Sequence, residues 1–155
     1  MSRGEFESLI GGIAGKIANR PLDAGLGDYL NANWPPGGES FEKLRQLCAE
    51  GEREGWLMAR EAGGIRFGRA IKPGGVAGEF SVDVVRMKEV RGPHHIHPKG
   101  EIGAIMALDG VPRFDDFAEG WYVYGPGTGH HPTVSGGEAY VLYLLPQGEI
   151  EFTGK

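Results

Sequence analysis

The stretch His94-His95-Ile96-His97-Pro98-Lys99-Gly100-Glu101 decides how this chain is read. His95 and His97 stand two apart, and on an extended strand alternate side chains leave the same face. Both imidazoles can therefore reach one ion, while His94 points to the opposite face of a regular strand. Pro98-Lys99-Gly100 allows a turn, which lets Glu101 come back to the same ion from the next strand. All five histidines of the 155-residue chain lie either here or in the pair His130-His131. His130 or His131 then supplies a further ligand from a distant strand. Three imidazoles and a carboxylate suit a divalent transition ion such as iron, manganese, zinc, nickel or copper, whereas calcium and magnesium prefer oxygen. Turn capping or aromatic packing would account for a lone histidine better than for this clustered set.

Outward from that stretch, the sequence alternates in the manner of short strands. Phe80 to Glu89, His94 to His97, Ile102 to Leu108, Trp121 to Tyr124 and Tyr140 to Leu145 read so, with Glu149 to Phe152 last. Glycine and proline turns separate them, and 28 glycines are spread through the chain. The expected fold class is mainly β, an antiparallel barrel or jelly roll whose strands bring ligands together inside its mouth. Upstream, Leu57 to Arg60 and Ile65 to Ile71 are predicted to flank a turn at Glu61 to Gly64.

The first third reads as helical. Phe6, Leu9, Ile10, Ile13 and Ile17 repeat at three and four, and Pro21 closes the segment. A short helix is predicted around Asp23 to Leu30. A third starts near Ser40, a candidate N-cap, and carries the stripe Phe41, Leu44, Leu47 and Cys48. We therefore expect residues 1–55 to form a helical segment packed on a barrel of residues 56–155.

Composition narrows the function. The 16 basic and 21 acidic residues give a formal charge of −5, with no basic stripe to hold nucleic acid. Helices followed by a hairpin also describe a winged DNA-binding module, but Glu42, Glu50, Glu52 and Glu54 on the third helix would repel phosphate. Cys48 is the single cysteine, so no internal disulfide forms and a reducing, cytoplasmic setting is expected. The apolar run from Leu9 to Gly15 is too short and too closely flanked by charge for a signal or membrane segment.

Around the histidines the sequence resembles the cupin superfamily. Its first motif is matched at the core by His95, His97 and Glu101, although Glu89 and Leu108 stand where its two glycines would be. Its second motif is met by Gly120, Pro126 and His131, while Thr128 and Ser135 replace a glycine and an asparagine. The likeness spans about residues 76 to 153 and implies His131 as the family-type ligand, with Gly127 and Gly129 able to shift the turn by one residue. More narrowly, the first run together with Trp121-Tyr122-Val123-Tyr124-Gly125-Pro126 and His130-His131-Pro132-Thr133-Val134 resembles a small bacterial cupin family described as 4-hydroxylaminobenzoate lyases.

That resemblance implies a metal-dependent enzyme releasing ammonia from an aryl hydroxylamine and leaving protocatechuate. Its partner would be a small aromatic acid, and a homodimer is the expected assembly. His95, His97, Glu101 and His131 would hold the metal, and His130 or Tyr124 would handle protons. Glu101 could instead transfer protons beside three imidazoles. A benzoate carboxylate needs a cation, for which Arg86, Arg113 and Lys99 are the candidates. Tyr122 and Tyr124 share one strand face and could wall the substrate, with Trp121 on the other face. A catechol dioxygenase, a sugar or keto-acid isomerase and a non-enzymatic binding cupin are the alternatives.

Overall fold

The computed structural model describes residues 2–155. Three helices come first. Helix α1 (Ser2–Ile17) buries Phe6, Ile10, Ile13 and Ile17, the expected stripe. Helix α2 (Ala24–Asn33) is capped by Asp23, whose carboxylate accepts from the Leu26 N–H at 3.0 Å. Helix α3 (Glu39–Glu54) buries Phe41, Leu44, Leu47 and Cys48. Its N-cap is Gly38 rather than Ser40. Glu42 reaches back instead and accepts from the Gly37 N–H at 2.9 Å, which serves the helix start without a hydroxyl cap. Gly55 closes α3 in the left-handed conformation, φ 86°, which glycine adopts without a Cβ clash.

Nine strands follow: β1 (Arg60–Ala62), β2 (Ile65–Ile71), β3 (Phe80–Arg91), β4 (His95–His97), β5 (Glu101–Phe114), β6 (Gly120–Tyr124), β7 (Thr128–His130), β8 (Thr133–Pro146) and β9 (Glu151–Phe152). They form an antiparallel jelly-roll barrel from a six-stranded sheet, order β1-β2-β3-β8-β5-β6, and a three-stranded sheet, order β7-β4-β9. Leu57 and Met58 are not in a strand as expected. Met58 takes φ 53°, which breaks an extended run, and both side chains join the helical core. Strands β5 and β8 outrun the predicted limits because register shifts near Ala107 to Arg113 carry the pairing on to Phe114 and Val134. The short strand β7 was not anticipated.

Alternation gives the large sheet two different faces. Val82, Val84, Ile102, Ala104, Leu142 and Leu144 point outward into one core shared with the helices. Met87, Ile105, Tyr122, Ala139 and Val141 point inward into a second core. Trp121 faces the helices while Tyr122 and Tyr124 face the interior, as the alternation predicted. Cys48 is buried in the helical core, and burial, then the Glu52 charge, pushes its thiol far up, so it packs as a small hydrophobe. No described helix is long and apolar enough to cross a membrane.

Candidate metal centre

Strand β4 lies between β7 and β9, and its register sets His95 opposite His130 and His97 opposite Thr128. His95 and His97 leave the same face of β4, as their spacing requires, and both are buried. The three imidazoles of His95, His97 and His130 converge. His95 Nε2 lies 2.9 Å from His97 Nε2 and 3.0 Å from His130 Nε2. Glu101, the first residue of β5, follows the turn at Gly100 (φ 92°) and brings Oε1 to 3.2 Å from His97 Nε2. These are the side chains that can hold a metal ion, three nitrogens and a carboxylate oxygen.

The outer hydrogen bonds settle which nitrogens face inward with lone pairs. Thr128 Oγ1 donates to the Gly125 carbonyl at 2.7 Å, so it accepts from His97 Nδ1–H at 3.1 Å. The Asp115 carboxylate accepts from His130 Nδ1–H at 2.6 Å. Both rings thus carry their proton on Nδ1 and direct an Nε2 lone pair at the centre. A proton on His95 Nε2 could serve one of these neighbours but not both, and His95 Nδ1 is buried without a partner. Burial pushes His95 down to about 4, so the ring is neutral near pH 7. Converging lone pairs beside a carboxylate are what a cation satisfies, so this donor set fits a divalent transition ion.

Two tyrosines brace the cluster. Tyr122 donates to Glu101 Oε2 at 2.6 Å deep in the interior. Burial alone would raise the Glu101 carboxyl, and the Tyr122 hydroxyl opposes that by donating to its charged form. Gly103 lies directly across from Tyr122, and a Cβ there would overlap the tyrosine ring. Tyr124 stacks on His97 at 5.5 Å and donates its hydroxyl to Asp115. Asp115 also accepts from the Thr133 N–H at 3.1 Å, which anchors the carboxylate behind His130.

An apolar cavity of about 230 Å³ adjoins His95 and Glu101, walled by Phe67, Val85, Met87, Phe114, Val141 and Phe152 among others. The sequence placed the remaining candidates less well. His131 lies outside the trio: its Nδ1 accepts from Arg91 at 3.1 Å and its ring sits 4.9 Å from His94. Strand β7 ends at His130, so alternation turns the next residue away. Arg86 is on the outward face of β3 and pairs with Glu52 and Glu138 at 2.6 and 2.9 Å. Arg113 donates to the Asp116 carbonyl, and Lys99 pairs with Glu149 on the surface. None of these three cations reaches the cavity. Tyr122, expected to wall the substrate, braces Glu101 instead. Sequence reasoning missed Asp115, Thr128 and Gly103. The first two lie near the histidines in space but carry no spacing signal.

A jelly roll whose His-x-His pair, glutamate and distant histidine meet in its interior defines a cupin. The particular family follows from sequence comparison, since the family model PnbB, 4-hydroxylaminobenzoate lyase, matches residues 8–152. The chain belongs to that family. A 4-hydroxylaminobenzoate lyase of Nocardioides sp. (strain LMS-CY) is 31% identical over 146 residues, 88% of this chain and 86% of that protein. Another from Pseudomonas putida is 28% identical over 167 residues, 97% of this chain and 95% of that one. Among solved structures, a double-stranded β-helix protein from Klebsiella pneumoniae gives a TM-score of 0.46 at 14% identity, covering 66% of this chain and 94% of its own.

Proposed function

We propose that this protein is a metal-dependent lyase that converts 4-hydroxylaminobenzoate, or a related aryl hydroxylamine, with water into protocatechuate and ammonia. The observation that carries the reading is the convergence of His95, His97, His130 and Glu101 on one another, beside an apolar cavity that His95 and Glu101 line, in a chain of this family. A divalent transition ion held by those four side chains would supply a Lewis acid for cleaving the N–O bond and activating water.

The chain's own groups do the rest. The cavity walls take the arene and exclude bulk water. Tyr122 holds Glu101 as a carboxylate turned toward the histidines, where it serves as the fourth ligand or, with the three imidazoles alone holding the ion, accepts a proton from the water that adds to the ring. Asp115 keeps the His130 proton on Nδ1, and the Tyr124 hydroxyl shares the same carboxylate. The Tyr124–Asp115 pair can hold a proton beside the site for the departing nitrogen. The reaction is redox-neutral and needs no dioxygen. Incubating purified, metal-analysed protein anaerobically with 4-hydroxylaminobenzoate should release ammonia and protocatechuate in equal amounts. Turnover that requires dioxygen, or none with metal bound, would contradict the reading.

A further inference from the structure

Among the described residues, no lysine or arginine lines the cavity beside the histidine cluster. An aromatic acid cannot leave its carboxylate there unpaired, because burying an uncompensated charge is strongly unfavourable. A second cavity, of about 470 Å³, shares the wall residues Phe67, Tyr143, Ile150 and Phe152 with the first and does contain cations, Arg60 and Arg69, together with the Asp83 carboxylate that pairs with Arg69. The strand register ties the two together. Arg69 pairs with Asp83, Asp83 with Tyr143, Tyr143 with Gly103 and Gly103 with Tyr122. One row of inward-facing positions therefore runs from the second cavity to the tyrosine that braces Glu101.

We propose that the two cavities form one substrate site and that Arg69, with the Tyr143 hydroxyl in the shared wall, binds the carboxylate of an aromatic acid whose amino end faces His95 and Glu101. This rests on the aryl-hydroxylamine reading above. Arg69 has the donors for it. Its Nε donates to Asp83 at 3.1 Å and its Nη2 to the Gly148 carbonyl at 3.3 Å, which leaves Nη1 without an acceptor among the described residues. Asp83, which also accepts from Ser81 at 3.3 Å, fixes the guanidinium from behind. Burial, then the charges of Asp83 and Glu101, raises the Tyr143 phenol, so it stays a donor. Three strand spacings separate Arg69 from Gly103, about 14 Å along the sheet, and the long arginine side chain shortens that gap toward the length of a para-substituted benzoate. Arg91, the other cation near this end of the barrel, is engaged with His131 and lines neither cavity.

The test compares binding of 4-aminobenzoate with that of its uncharged isostere 4-aminobenzamide by titration calorimetry. The proteins are wild type, Arg69→Gln, Arg69→Lys, Tyr143→Phe and Arg91→Gln, with thermal melts and metal content confirming that each is folded. The wild type should prefer the acid. Arg69→Gln should weaken acid binding by about tenfold to a hundredfold while amide binding holds. Arg69→Lys should restore part of the preference, Tyr143→Phe should lose a smaller share, and Arg91→Gln should keep it whole. A wild type without acid preference, an unchanged preference in folded Arg69→Gln, or its loss in Arg91→Gln overturns the proposal. Ammonia release is measured separately. Arg69-dependent acid binding without turnover would sink the lyase reading alone, and turnover with Arg69-independent binding would sink the acid subsite alone.

Discussion

The outward and inward faces of β3, β5 and β8 are made by the same alternation and built for opposite ends. On the outward face, Val82, Val84, Ala104, Leu142 and Leu144 pack against the helices in a continuous apolar core. On the inward face the same strands carry Asp83, Glu101 and Tyr143, polar groups whose burial is unfavourable unless each finds a partner. One face contributes stability through area removed from water, and the other holds a few charged and hydroxyl groups in fixed geometry. Damage to the two should therefore read out differently, in melting on one side and in metal and turnover on the other.

The largest effect should come from His97→Ala, which removes a central ligand. Metal content should fall well below one ion per chain and ammonia release should drop by more than the roughly 10–100-fold that losing an outer hydrogen-bond partner costs, with the fold retained by circular dichroism. In the helical core that covers the outward face, Leu47→Ala should cost about 2–5 kcal/mol in denaturant unfolding and leave metal stoichiometry alone. A loss of metal there would erase the distinction between the faces. Asp115→Asn should lower metal affinity or turnover by about 10–100-fold, because the amide no longer holds the His130 proton on Nδ1 as a carboxylate does. Smallest among these, Gly103→Ala should push Tyr122 off Glu101, and its turnover should match that of Tyr122→Phe. Wild-type turnover in both would show that the tyrosine packs without bracing the carboxylate.

What was legible in the sequence tracks how local the cause is. The helical stripes and the His95, His97, Glu101 arrangement follow from periodicity and one turn, so they could be read directly. The choice of His130 over His131 could not, because β7 is three residues long, is interrupted by Gly129, and owes its register to pairing with β4. The resemblance to the second cupin motif pointed one residue too far for this chain's geometry. The carboxylate-binding candidates were drawn from strands near the histidines. Alternation then carried Arg86 to the helical side, while Arg69, well upstream on β2, arrived through the sheet. Asp115 likewise reaches His130 only because β5 runs on past its predicted end.

The geometry makes His130, and not its neighbour His131, the residue that completes the histidine cluster. Elemental analysis of wild type, His130→Ala and His131→Ala, purified side by side, tests it directly. One divalent transition ion per chain is expected in wild type and His131→Ala, with its loss in His130→Ala. Metal retained in His130→Ala and lost in His131→Ala would contradict it.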